Sequence, residues 1–172
     1  WIKNWNRFLE KLKINVFRHY SKIKKPFTHI KSITPKAKKM TKKLVIFDLD
    51  GTLLNTITDL ANATNLALEK LNFPTHPEDA YKIFVGNGID KLFLRALPEQ
   101  YKTPEYVKKV REIFVPYYNE HNKDFTAPYN GIIDVLKNLK KNNIKIAVAS
   151  NKYHEATLEV VKSYFQEIEF DV

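Results

Sequence analysis

The sequence contains no cysteine. That excludes a disulfide framework and any thiolate metal site. It also fits a reducing compartment, and the expected location is cytoplasmic. Long apolar runs are absent as well. No stretch approaches the roughly 20 residues that cross a bilayer as a helix, and none has the form of a secretory signal core, so no transmembrane segment is expected. There is no internal repeat. Acidic residues are nearly missing from the first 43 positions, where fourteen Lys or Arg stand against Glu10 alone.

What remains is ordinary for a globular chain. The 172 residues are 44% hydrophobic and 28% charged, enough for one core or for a small core with an inserted subdomain. The net charge of +10 belongs to the beginning of the sequence. Residues 44–172 hold fifteen basic and eighteen acidic side chains. A basic extension over 1–42 therefore precedes a mildly acidic domain. Within it, Trp1, Trp5, Phe8, Leu12, Val16 and Tyr20 recur at helical steps. Residues 21–43 are Lys-rich, interrupted by Pro26 and Pro35, and read as a linker. The simplest reading of 1–39 is sequence fused or translated ahead of a start at Met40. The alternative is an arm for a membrane surface or nucleic acid. Such an arm binds anions unspecifically, and no specific nucleic-acid partner is expected.

From Lys43 the pattern changes. Leu44-Val45-Ile46-Phe47 is a continuous apolar run, as expected of a strand buried on both faces of a parallel sheet. It ends in the polar turn Asp48-Leu49-Asp50-Gly51-Thr52. Helical spacing runs over 57–72 and is stopped by Asn72-Phe73-Pro74. Val85-Gly86-Asn87-Gly88 is a loop between two short helices. Thr103-Pro104-Glu105 opens another helix, with Thr as N-cap and Pro in the first turn. Pro116 is expected to kink or break it. Residues 125–131 read as a linker and 132–139 as a helix. A second strand covers 144–149 and ends in Ser150-Asn151-Lys152. A helix follows to about Phe165, and Phe170-Asp171-Val172 begins a third strand. Two strands separated by about a hundred mostly helical residues exceed a simple βαβ crossover. An α/β core with a helical insertion fits this order.

Asp48 and Asp50 stand at the carboxyl end of the first strand, where open α/β sheets bind ligands. Two carboxylates this close repel, and their protonation equilibria separate, which suits one nucleophile and one general acid. A divalent cation would relieve the repulsion, and carboxylate oxygens suit magnesium. Gly51 permits a tight turn whose amides can approach an anion. A bare Asp-x-Asp-Gly would be read as a turn and nothing more. The apolar strand before it and Gly51-Thr52-Leu53 after it raise its specificity.

The segment from Leu44 through Leu54 resembles the first motif of haloacid dehalogenase superfamily phosphatases. The stretch from Ile144 through Lys152 is similar to their second motif, an apolar strand ending in Ser or Thr. The interval from Asp48 to Ser150 resembles that of members with a helical cap between these motifs. Phe84 through Leu92 resembles a cap loop of phosphoglycolate phosphatases. The resemblance implies a Rossmann-like parallel-sheet core over 43–54 and 128–172, incomplete here, with a helical cap over 55–127. It implies magnesium held by the Asp48 side chain and the Asp50 carbonyl. It further implies an aspartyl-phosphate on Asp48, with Asp50 as acid and then base. Ser150, Asn151, Thr52 and Lys152 would bind phosphate, and Gly86, Asn87 and Gly88 would face the substrate. The plainer reading of Ser150 is a helix N-cap, a role it could hold together with phosphate binding, and Lys152 reads about equally as a solvated surface residue. The substrate class is a small phosphorylated metabolite, phosphoglycolate first. A β-phosphoglucomutase-like enzyme, a pyrophosphatase and a non-catalytic protein that binds through its basic arm are the alternatives.

The family pattern also calls for a third-motif Lys and fourth-motif acids, and residues 53–172 offer no counterpart. The chain is accordingly read as a fragment with negligible phosphatase activity by itself. The charge break at residue 43 gives a direct test. A chain beginning at Met40 is expected to show the same circular dichroism and melting temperature as the whole. A large loss of stability would show that the early Trp and Phe side chains pack on the domain.

Overall fold

The computed structural model describes residues 43–171. The helical stripe, the linker and the basic extension lie outside the described residues. Lys43 onward forms one compact unit, an α/β arrangement of parallel strands and six α-helices among the described residues.

Strand β1 (Leu44–Phe47) pairs in parallel with β4 (Lys145–Val148), register Leu44 with Lys145 through Phe47 with Val148. The pairing continues past the strand ends. The Lys145 N–H donates to the Lys43 carbonyl (2.9 Å) and the Ala149 N–H to the Phe47 carbonyl (2.8 Å). Leu44 is 38% exposed, and Val45, Ile46 and Phe47 are half-buried, so β1 is not buried on both faces as expected. Only one of its edges is paired among the described residues.

The excursion between these strands begins with β2 (Leu54–Asn55) and returns through β3 (Ala127–Pro128). These two pair antiparallel, Leu54 with Pro128 and Asn55 with Ala127. The segment 125–131, expected to be a linker, thus contains a strand. Its two residues are too few to show a period-2 pattern. Between β2 and β3 lie α1 (Ile57–Lys70), α2 (Glu78–Phe84), α3 (Ile89–Ala96) and α4 (Pro104–His121). Their apolar faces share one cluster that includes Leu60, Leu68, Tyr81, Phe93, Phe114 and Tyr118. A second cluster joins Leu49, Leu53 and Leu54 to Leu136 of α5 (Ile132–Lys141), Ile146 of β4 and Val160 of α6 (His154–Tyr164).

Helix ends follow local chemistry. Asn72 and Asn143 take left-handed φ of 58° and 55° just beyond α1 and α5. Behind each, the next N–H reaches back to the last turn: Phe73 to Leu68 and Ile144 to Leu139. This is the Schellman arrangement, in which Asn is the common substitute for Gly. Thr103 caps α4 and accepts from the Tyr106 N–H. Pro116 neither ends α4 nor interrupts its 18-residue span. Pro116 and Glu112, whose carbonyl loses its helical partner, both lie on the exposed side, where that carbonyl is open to solvent. Val107, Val110, Phe114 and Tyr118 hold the opposite side in the core.

No strand forms at Phe170–Asp171, although the backbone there is already engaged. The Asp171 N–H donates to the Ile146 carbonyl (2.8 Å), on the side of β4 away from β1. The Asp171 carboxylate takes the ladder's other place by accepting from the Ile146 N–H (2.9 Å) and from Lys140 (3.2 Å).

Two predictions arise here. Asp59, in the first turn of α1, is 3% exposed. Its carboxylate accepts from the Phe125 N–H (3.0 Å), the Thr126 N–H (2.9 Å) and the Thr126 hydroxyl (2.7 Å). Asp59→Ala leaves the two Thr126 donors buried and unmatched, and it is expected to cost about 3 kcal/mol in urea denaturation. A loss under about 0.5 kcal/mol would show the clasp to be inert. Asp171 is held below the ordinary aspartate range by the Ile146 N–H, with Lys140 adding to it. The folded state therefore favours the carboxylate. Its contribution is present above the unfolded value of about 3.9 and is lost as pH falls through the lower folded value. Asp171→Asn is expected to be less stable than wild type at neutral pH, with the gap closing as pH falls through the lowered folded value. A gap independent of pH would refute the charge argument.

Candidate active site

The site is built where β1 and β4 end side by side. Their shared register places Asp48, one residue past β1, beside the Ala149-Ser150 end of β4. Asp48 is exposed at this end, and its Oδ1 accepts from the Leu49 N–H (2.8 Å). Leu49 is fully buried and pins the turn between two carboxylates that stay accessible. The turn is then closed by its own backbone. The Leu49 carbonyl accepts from Leu53 and Leu54, and the Gly51 N–H donates to the Leu54 carbonyl (2.8 Å). Gly51 sits at φ 75°, a conformation that costs other residues about 1 kcal/mol or more. Thr52 is half-buried in the same turn.

Asp50 and the second-motif turn meet directly. The Lys152 ammonium donates to Asp50 Oδ1 (3.1 Å) and to the Tyr118 hydroxyl (2.7 Å). It also lies over the Tyr118 ring, 4.7 Å from the centroid. The Lys152 side chain is 2% exposed and that of Asp50 17%. This overturns the reading of Lys152 as a solvated surface residue. A charge so far from water persists only where partners replace its hydration, and here a carboxylate, a hydroxyl and an aromatic face do so. Ser150 Oγ accepts from the Lys152 N–H (3.1 Å), which fixes the turn. Ser150 is not a helix N-cap: α6 starts at His154 with Tyr153 in the cap position.

The helical layer contributes at two places. Tyr118 stacks on Phe114 at 5.0 Å and 15°, and its phenol is raised well above its ordinary value, first by burial and then by the negative charge of Asp50. It is therefore a neutral hydroxyl at the site. Sequence reasoning did not select it; it follows Val107, Val110 and Phe114 on the buried face of α4, and the polar tip at the end of that apolar spacing was the available signal. The second place is the Gly86–Gly88 loop. Gly86, Asn87 and Gly88 all have positive φ, at 117°, 65° and 88°. A Cβ on Gly88 would stand 3.7 Å from the Asn151 carbonyl oxygen, so the loop backbone reaches the second-motif turn. Arg95 braces it by donating to the Phe84 carbonyl (2.7 Å), the Gly86 carbonyl (3.1 Å) and Asn87 Oδ1 (3.3 Å). Beside it, Tyr153 donates to Asn119, and burial pushes its phenol up to about 12.

Asp48, Asp50, Thr52, Ser150, Asn151 and Lys152 thus belong to two adjoining turns, with Gly88 packed against one of them. Among the described residues no three His, Asp or Glu side chains gather as a metal-binding group. No helix among the described residues is long and apolar enough to cross a membrane.

Comparison with known proteins agrees with this geometry. A phosphoglycolate phosphatase of Haemophilus influenzae is 39% identical over 116 residues, covering 64% of this chain and 52% of that protein. One from Pasteurella multocida is 34% identical over 128 residues, covering 71% and 57%. The crystal structure of a predicted phosphoglycolate phosphatase from Haemophilus somnus superposes with a TM-score of 0.68 at 31% identity, covering 73% of this chain and 59% of that one. The chain spans about half the length of the curated relatives it matches. The family model for haloacid dehalogenase-like hydrolases matches residues 45–172, and with both of its recognisable turns brought together at the ends of a parallel strand pair, the chain belongs to that family.

Proposed function

We propose that this chain carries the nucleophile and the acid–base group of a phosphomonoester hydrolase acting on a small phosphorylated metabolite. Phosphoglycolate is the first candidate, on the strength of the relatives' names. The observation that carries the reading is the meeting of two carboxylates at the end of β1 with the Ser150–Lys152 turn, where a buried ammonium sits on Asp50.

In this reading an Asp48 carboxylate oxygen attacks phosphorus in line. The Asp48 O–P bond forms as the bond to the leaving oxygen breaks, and Asp50 delivers its proton to that oxygen. Water then attacks phosphorus and gives its proton to Asp50. The P–O bond to Asp48 breaks, phosphate is released and Asp50 is again protonated. The Ser150 hydroxyl, the Asn151 backbone, the Thr52 hydroxyl and the Lys152 ammonium hold phosphoryl oxygens, where fixed donors act more strongly than in water. Residues 55–127 serve as a cap, with Gly86, Asn87 and Gly88 toward the substrate.

The donor set suits magnesium. Both acids offer hard oxygen ligands. The Asp50 carboxylate is taken by Lys152, and the closing hydrogen bonds of the turn use the Leu49 and Leu54 carbonyls, not that of Asp50. Asp48 Oδ and the Asp50 carbonyl would hold the ion, which when bound neutralises phosphoryl charge.

The test is a chimera in which residues 45–172 are joined to the unmatched remainder of the Haemophilus influenzae relative. It is expected to release phosphate from phosphoglycolate in the presence of magnesium. Asp48→Asn is expected to reduce turnover by on the order of a thousandfold or more. Turnover within tenfold of the parent in that variant would remove Asp48 as nucleophile. Preference for a hexose phosphate or pyrophosphate would keep the chemistry and change the substrate.

A further inference from the structure

Tyr118 occupies a position that its packing alone does not explain. It is 1% exposed, at the end of the apolar stripe of α4. A Phe would fill the same space, as Phe114 does one turn earlier. The hydroxyl adds the cost of burying a polar group unless it finds a partner. Among the described residues its hydrogen-bond partner is the Lys152 ammonium at 2.7 Å, and the same ammonium lies over the Tyr118 ring. A lysine ammonium has three protons to donate. Here one goes to Asp50 and one to Tyr118.

We propose that Tyr118 is a positioning residue of the phosphate site: its hydroxyl and ring face hold the Lys152 ammonium beside Asp50, with one N–H left for a phosphoryl oxygen. The inference rests on the phosphatase reading above for what the ammonium is held ready to meet. Lysine is a flexible point charge on a four-carbon stem. Asp50 alone fixes it at one contact and, as a carboxylate partly open to water, lets the stem swing. The phenol supplies a second contact from the opposite element, and its ring closes off solvent on that side. Localising the charge in advance of the ligand removes an ordering cost from binding. Because Tyr118 belongs to the helical layer while Lys152 and Asp50 follow the two paired strands, the contact also makes the cation's place depend on how that layer sits.

Two measurements on the 172-residue chain decide the matter. The first is the rate at which an amine-acylating reagent modifies Lys152, read by peptide mass spectrometry. Tyr118→Phe keeps the ring and the stacking on Phe114 and removes only the hydroxyl. It is expected to speed Lys152 modification at least fivefold, with unchanged modification of exposed lysines such as Lys137. An unchanged rate overturns the inference. The second is the affinity for inorganic phosphate with magnesium present, in a double-mutant cycle with Lys152→Met. Tyr118→Phe is expected to weaken phosphate binding roughly tenfold, the size associated with a hydrogen bond to a charged group. In the Lys152→Met background the same change is expected to have less than a twofold effect, because its target is gone. Equal effects in both backgrounds would mean that Tyr118 acts through packing, which overturns the inference. Lys152→Met without effect on phosphate would overturn the phosphate-site reading itself. The modification rates would then still report separately on the Tyr118–Lys152 contact.

Discussion

The parallel pairing of β1 with β4 is the constraint on which everything else depends. It joins Phe47 to Val148 across a chain excursion of about a hundred residues. Closing so long a loop costs only slowly increasing entropy, but a parallel pair gains little until both ends are in place. The structure meets this by bringing the excursion back to where it left. β2 and β3 pair directly outside the first turn, and the Tyr129 N–H donates to the Leu53 carbonyl. The Asp59 carboxylate then ties the returning backbone at Phe125 and Thr126 to the first turn of α1. Four helices can therefore build their own apolar cluster without pulling β1 and β4 apart.

That pairing also sets the electrostatics. Two carboxylates at one strand end would repel. The parallel register delivers the counter-charge from the neighbouring strand end, two residues after Ser150. Lys152 is the more buried partner of the pair, so its desolvation is the larger cost, and it is offset by contacts on both sides of the ammonium. A buried ion pair of this kind is weak evidence for stability. In the phosphatase reading its value lies in a cation fixed at a defined place before the anion arrives.

The parts legible in the sequence were those with a local physical signature. The run Leu44–Phe47 and the turn after it announce themselves through apolarity followed by acids and Gly51. Asn72 and Thr103 mark helix ends because cap geometry is short-range. Several of the misreadings involve a partner distant in sequence. Pro116 has a fixed local effect, yet whether a helix tolerates it depended on which face was already buried. Lys152 looks like any surface lysine until Asp50 and Tyr118, each far away along the chain, are placed around it. Asp59 is an ordinary first-turn acid whose role appears only with Thr126. The β2–β3 pair is too short for a pattern, and its pairing is decided by the ends it joins.

The loop at Gly86–Gly88 shows the same division at finer scale. Its glycines are readable as a loop signal, and its resemblance to a cap loop needed nothing further. What the sequence does not disclose is why the loop holds one shape. Three successive residues at positive φ are costly to order. Arg95, in the last turn of α3, supplies the compensation by donating to the Phe84 and Gly86 carbonyls and to Asn87. Arg95 is itself at the exposed surface, so the brace costs little desolvation. The loop meets the Asn151 turn with Gly88 backbone and no side chain. A side chain there would be strained by the φ of 88°, although its Cβ would meet the Asn151 carbonyl only at ordinary contact distance. In the phosphatase reading, selection among phosphate esters then falls to the residues flanking this loop, while the loop's own backbone fixes how closely the helical layer approaches the phosphate end of the site.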